Sequence, residues 1–244
     1  MLQKLSLGLL ILMSSTFVVG EDIFRPCPEI SRELRFPCKC SLGPIEAALE
    51  GNPAISINCD RIVFAGDFPS IPYAAPIVSF RQRWAGYQAL PTQLFASSGL
   101  PLRSVDFSGN SLRRLTEKLL QELQTSLVEL RLADNLLGDT LNPIFSTSEL
   151  HGLKHLQIID ISGNAIKAIE EGIFEGCDSL QELYLDRNSL SSIPGGSLNG
   201  PKNLRILSMR DNRMTSMKIG TFDAQLELET IDNFLVWLLK LCPS

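Results

Sequence analysis

Apolar and polar residues follow one another along this chain in a frame of eleven places. In 102–112 (LRSVDFSGNSL), 127–137 (LVELRLADNLL), 156–166 (LQIIDISGNAI), 180–190 (LQELYLDRNSL) and 204–214 (LRILSMRDNRM), apolar residues hold the first, fourth, sixth and eleventh places. The fourth and sixth alternate with polar neighbours, as in a strand with one face buried. A helix requires apolar residues at i, i+3, i+4 and i+7, and the segments fit that spacing poorly. Each segment is therefore expected to form a strand of about three to four residues.

The ninth place is asparagine in all five segments: Asn110, Asn135, Asn164, Asn188 and Asn212, at steps of 25, 29, 24 and 24 residues. After each strand the chain must turn inside a stack, which carries backbone groups away from water. Asparagine brings two donors and an acceptor carbonyl on a short side chain. An unmade buried hydrogen bond costs roughly 1–3 kcal/mol, so the residue type is constrained. An ordinary turn-forming role fits any one of the five but does not explain five in register. The segment also continues past asparagine: Leu115, Ile169, Ile193 and Met217 follow five residues on, and Leu120, Phe174, Leu198 and Phe222 ten on. No single repeat can bury its apolar face alone, so neighbours must stack.

A period of this length with this frame is identified as that of the leucine-rich repeat. The fold implied is an α/β solenoid, with a curved parallel β-sheet on the concave face and loops and short helical turns on the convex face. The expected organisation is a signal peptide at 1–20, a cysteine-rich cap and lead-in at 21–76, repeats at 77–232 and an irregular tail at 233–244. Within the repeats, 77–100 reads as a degenerate first unit. There Val78 and Phe80 take the strand positions, Arg83 stands where asparagine is due, and 84–88 adds about two residues. The long step places an insertion at 138–150, read as a surface loop presenting Asp139, Thr140 and Asn142. A spacer is its plainer role.

The ends differ in kind. Lys4, the apolar run 5–12 and the small residues Val18, Val19 and Gly20 have the form of a secretory signal, too short and too early to span a membrane. Cys27, Cys38, Cys40 and Cys59 cluster behind it. An exported chain permits disulfides, whereas a single Cys-x-Cys pair is poor zinc spacing. Four cysteines allow three pairings. The order Cys-Pro…Cys-x-Cys…Cys resembles the N-terminal cap of extracellular leucine-rich repeat proteins. That resemblance implies Cys27–Cys40 and Cys38–Cys59, although the gap of ten residues between the first two cysteines is longer than that family's usual one. At the other end, Leu228 and Ile231 begin a sixth frame, but Asn233 falls where an apolar residue is due and Val236 where asparagine is due. A frame cut short near residue 232 is the favoured reading; a makeshift apolar lid is the alternative.

Composition narrows the function. With 44% apolar residues a continuous core is available, and with 22 basic against 27 acidic residues there is no polybasic stripe for nucleic acid. No cofactor frame occurs. His151 and His155 lack the glutamate of a metalloprotease helix, and Cys177 reads as a small buried hydrophobe. No enzymatic activity is expected. No membrane span is expected in the mature chain.

The residues between the apolar strand positions form columns on the concave face. Glu129, Ile158, Glu182 and Ile206 share one column, and Asp106, Arg131, Asp160 and Tyr184 the next. Asp186 and Arg210 belong to a third, and Gly109, Asp134, Gly163, Arg187 and Asp211 to a fourth. Arg131, Asp160, Tyr184, Asp186, Arg187 and Arg210 are the candidate partner-binding residues, since Tyr and Arg are enriched at interface anchors. The runs CPEISRELRFPCKC, LRSVDFSGNSLRRL and LRLADNLLGDTLNPIF resemble arthropod matrix and adhesion proteins of the artichoke and chaoptin type. The resemblance to extracellular leucine-rich repeat proteins covers about 21–232. It implies a secreted or cell-surface role in adhesion or matrix organisation, with an extracellular protein as partner and this chain the N-terminal part of a longer protein. An innate-immune pattern-recognition ectodomain is the alternative, as is a truncated by-product with no role of its own.

Overall fold

The structure is a computed structural model that describes residues 25–26, 37–42, 54–64, 77–90, 102–115, 123–138, 144–145, 150, 152–216 and 221–232. The leader 1–20, Cys27, Asp139, Thr140, Asn142, His151, Met217 and the tail 233–244 lie outside them.

One ten-stranded sheet runs through the molecule. Its strands are β1 (Arg25–Pro26), β2 (Lys39–Leu42), β3 (Ile55–Asn58), β4 (Ile77–Arg81), β5 (Ser104–Asp106), β6 (Glu129–Arg131), β8 (Ile158–Asp160), β10 (Glu182–Tyr184), β11 (Ile206–Ser208) and β12 (Thr230–Asp232). A second sheet of two strands joins β7 (Ile144–Phe145) to β9 (Ala168–Ile169). β1, β2 and β3 pair antiparallel. From β3 to β12 every neighbour is parallel, so each strand after β3 begins one more turn of a solenoid. Among the described residues the connections are turns and bends with little helix.

The core is a set of columns. The fourth place holds Ile57, Phe80, Val105, Leu130, Ile159, Leu183 and Leu207, and the sixth holds Phe107, Leu132, Ile161, Leu185 and Met209, all buried. Leu115, Ile169, Ile193, Phe174 and Leu198 close the stack from the convex side, with Cys177 beside them. Burial pushes the Cys177 thiol up to about 12, so it is an inert packing group.

Two expectations are corrected. In the degenerate first unit, Phe80 pairs with Val105, and Ser79 with Ser104. Phe80 is therefore the fourth-place residue, not the sixth, and Ile77 is the first. The frame slips by two, which puts Gln82 in the sixth place and Ala85, not Arg83, where asparagine is due. The alternation of Val78 and Phe80 misled because the true sixth-place residue is polar. It is nonetheless wholly buried. The same ladder continues backwards, with Ile57 opposite Phe80. Cys59 thus stands in the sixth-place column, and 54–64 is a further turn rather than lead-in. Second, the inserted segment is not all loop: Ile144 and Phe145 form β7 and pair with Ala168 and Ile169 of the next turn.

Candidate binding surface

The asparagines hold the turns that set the surface. Asn164 Oδ1 accepts the Leu137 N–H of the preceding turn, while its Nδ2 donates to Leu132 O there and to Ile161 O in its own turn. Asn135 does the same with Leu112, Phe107 and Leu132. Asn188 and Asn212 repeat the arrangement. Asn110 takes both Ala85 N–H and Tyr87 N–H. Each side chain thus bonds at least three backbone groups in the turns.

Where Ala85 replaces asparagine, two other residues take over. Tyr87 Oη accepts the Phe64 N–H, and Gln82 Nε2 donates to Ile62 O and to Tyr87 Oη. Nothing in the repeat frame points to this pair, because neither residue occupies the asparagine place.

Just before asparagine, the eighth place turns left-handed in all seven turns from Arg61 to Asp211: Arg61, Trp84, Gly109, Asp134, Gly163, Arg187 and Asp211 have φ between 52° and 70°. That conformation points the N–H along the stack to the next turn's carbonyl, as in Trp84 N–H to Ser108 O and Gly163 N–H to Asp186 O. Glycine is the easiest residue for positive φ, yet only two of the seven are glycine. Space explains those two. A Cβ on Gly163 would collide with Asp134, which reaches across it to Arg187 at 3.1 Å. A Cβ on Gly109 would collide with the Trp84 indole.

The fifth place carries an ion ladder. Arg81 pairs beside Asp106, Asp106 beside Arg131, and Arg131 beside Asp160. Arg131 is bound by Glu129 in its own strand and lies 3.8 Å from Asp160. Burial alone would lower the Arg131 pKa, but Glu129, Asp160 and Asp106 together raise it. Tyr184 follows Asp160 in the column and donates its hydroxyl to Glu182 at 2.8 Å. Burial, then that hydrogen bond, pushes its pKa up. Ile158 and Ile206 flank Glu182 in the third-place column and are half-buried.

Of the remaining candidates, Asp186 is turned inward to the turns: its Oδ1 accepts Ser208 Oγ–H and Arg210 N–H, both at 2.6 Å. Arg210 pairs with Asp232, and Arg187 with Asp134. The structure brings Arg131, Asp160 and Tyr184 into one column. Arg187 and Arg210 sit at the strand ends, apart from it.

A second polar group, absent from the sequence-based candidates, lies at the other end of the sheet. Asp60 accepts Arg83 N–H at 2.9 Å and Arg83 Nη2–H at 2.8 Å, and Arg81 Nε lies 3.2 Å away. Burial raises the Asp60 pKa, but the Arg83 hydrogen bonds and the two guanidinium charges outweigh it and hold the carboxyl below its ordinary value. Arg83 is raised in turn, chiefly by its bond to Asp60. Beside them Cys38 is bonded to Cys59. Cys40 is also disulfide-bonded; Cys27, its implied partner, is outside the described residues.

No curated protein matches the chain. The Leucine rich repeat family model matches residues 146–190 and 178–232. Among solved structures the chain is similar to TLR13 in a complex with ssRNA13, at 21% identity over 62% of this chain and 20% of that one, with TM-score 0.52. It is similar to a leucine-rich repeat protein of Leptospira interrogans at 21% identity, over 64% of this chain and 38% of that one, with TM-score 0.53. An internalin (inlF) of Listeria monocytogenes is also similar, at 18% identity over 64% and 41% of the two chains, with TM-score 0.49. The chain thus spans between a fifth and two fifths of the length of these structures. With the repeated frame, the asparagine ladder and the parallel stack, that match shows leucine-rich repeats over residues 146–232 of a solenoid fold shared with these structures.

Proposed function

We propose that the chain is a non-enzymatic, extracellular protein-binding module that acts in cell adhesion or matrix organisation through the open face of its sheet. The observation that carries this reading is the continuous face itself. Eight parallel strands present Arg131, Asp160 and Tyr184 in one file, with the partly exposed Ile158 and Ile206 alongside. Aromatic and arginine side chains beside exposed aliphatic ones are the composition of interface anchors. Leucine-rich repeat solenoids are typically binding scaffolds. A secreted setting is supported by the Cys38–Cys59 disulfide, which an oxidising compartment maintains, and by the signal-like leader. Among the described residues no helix is long and apolar enough to cross a membrane. In the same reading the antiparallel β1–β2 end, tied to the β3 turn by Cys38–Cys59, is the cap that keeps water from the first turn of the core.

The test is secretion followed by binding. Expressed with its own leader in eukaryotic cells, the chain should appear in the medium with a new N-terminus near Glu21. It should then bind cell-deposited matrix, and Arg131, Tyr184 and Arg210 changed together to Ala should reduce that binding at least about tenfold, or roughly 1.4 kcal/mol. Retention inside the cell, or a triple variant that binds as the parent does, would overturn the corresponding half of the proposal.

A further inference from the structure

The rim at the ends of the strands carries a second surface in the first turns. Its centre is Trp84, in the eighth place of the second turn, at φ 53°. Elsewhere this left-handed place holds glycine, aspartate or arginine, and a bulky ring there is an outlier. Nothing in the stack calls for it: the indole is 51% exposed, and its pyrrole edge rests over Gly109, where no side chain competes. Two guanidinium groups hold it, Arg83 at 4.5 Å and Arg61 at 5.7 Å from the ring centroid.

Its neighbours share the exposure. Of the four exposed large hydrophobic residues among those described, three (Val63, Trp84 and Leu136) lie on this rim. Val63 and Leu136 both hold the tenth place, in the first and fourth turns. Between them that column has only Gly86, with open space where a Cβ would be, and Ser111. Scattered exposed residues need no explanation, but a cluster on one edge marks an interaction site.

Charge points to the occupant. Residues 54–115 hold six arginines against three aspartates, in a chain of net charge −5. Two of the aspartates, Asp60 and Asp106, already face Arg81 and Arg83. Arg61 is an exposed cation on this rim, with its guanidinium over the Trp84 ring. We propose that this rim, centred on Trp84 and Arg61, docks an acidic segment of a protein partner that carries aliphatic side chains among its carboxylates. The proposal rests on the reading of the chain as a protein-binding module and adds a site and a ligand chemistry to it. A sulfated glycan would satisfy the arginines but has no use for Val63 and Leu136. A single-stranded nucleic acid could stack on Trp84 but would leave the same two residues unused.

The experiment uses the full chain purified from medium and four fluorescent probes: a short peptide of repeated Glu-Glu-Leu, a matching Glu-Glu-Ser peptide, a heparin oligosaccharide and a single-stranded RNA. The Glu-Glu-Leu peptide should bind most tightly. Trp84→Ala and Arg61→Glu should each weaken it about tenfold or more, while Lys202→Ala, at an exposed position in the turn before β11, should not. Arg61 is exposed, so Arg61→Glu decides the matter if Trp84→Ala fails to fold. Equal binding of Glu-Glu-Ser, tighter binding of heparin or RNA, no binding, or indifference to Arg61→Glu would each overturn the proposal. Matrix binding is read in parallel: if it survives while the peptide site proves empty, the rim is refuted and the module reading stands.

Discussion

The first three turns and the later ones use the same frame and the same left-handed place, yet they are held and charged differently. From β5 onward each turn is fastened by an asparagine that serves several backbone groups, and residues 123–232 carry sixteen acidic side chains against nine basic ones. In the first turns the asparagine place of 77–90 is Ala85, and the fastening is improvised from Gln82, Tyr87, Asp60 with Arg83, and the Cys38–Cys59 bond. These turns are basic and aromatic. The difference teaches that the frame dictates the core and the need to satisfy buried backbone groups, but not which side chains meet that need. A regular turn reuses one solution because each neighbour presents the same geometry. Only the first turn, through β3, meets an antiparallel partner, and the improvised bonds lie between that turn and the next, so the solution there is local.

The comparison can be broken most severely in the regular turns. Asn164→Ala leaves Leu137 N–H unpaired in a dry turn and takes one of two donors from Leu132 O and from Ile161 O, which keep Asn135 Nδ2 and Asn188 Nδ2, and urea denaturation should show a loss of about 2–3 kcal/mol. Tyr87→Phe leaves only Phe64 N–H and Gln82 Nε2 without their hydroxyl and should cost about 1 kcal/mol. Equal losses would mean that improvised and repeated fastenings bear the same weight.

Cys38→Ser tests the staple of the irregular end. Opening a bond between residues 21 apart in sequence should cost about 2–4 kcal/mol. Because solenoid stability is carried between neighbouring turns, the loss should centre on the first turns. Hydrogen exchange that rises equally through β10 and β11 would argue against that locality.

Asp60 offers the smallest and most specific probe. Its folded pKa lies below the ordinary value of 3.8. Its contribution to stability is therefore complete above about pH 4 and is lost as the pH falls through the depressed folded value. Asp60→Asn should cost about 1–2 kcal/mol at neutral pH and flatten the acid limb of the stability curve. A variant with the parent's acid slope would show that the Asp60–Arg83 pair does not couple to folding.

Much of the fold was legible in the residues. Five asparagines in one frame, with leucine and isoleucine at fixed places, determine a stacked parallel sheet and its buried columns, because only side chains of that size and polarity fill an interior repeated every 24 or so residues. The candidate surface was legible as columns but not as pairings. That Arg131 is already held by Glu129 and Asp160, and Asp186 by Ser208 and Arg210, depends on which neighbours the stack brings within reach.

The sequence by itself determined the period, the core and the asparagine ladder, since each follows from burying apolar columns and satisfying backbone groups at a repeated turn. Only the tertiary structure decided the register of the first turns, where a buried glutamine stands in an apolar place and finds its partners on Ile62 and Tyr87. It alone also decided why glycine stands at 109 and 163. The conformation there is shared with Asp, Arg and Trp, but the space is taken by side chains from the turns on either side.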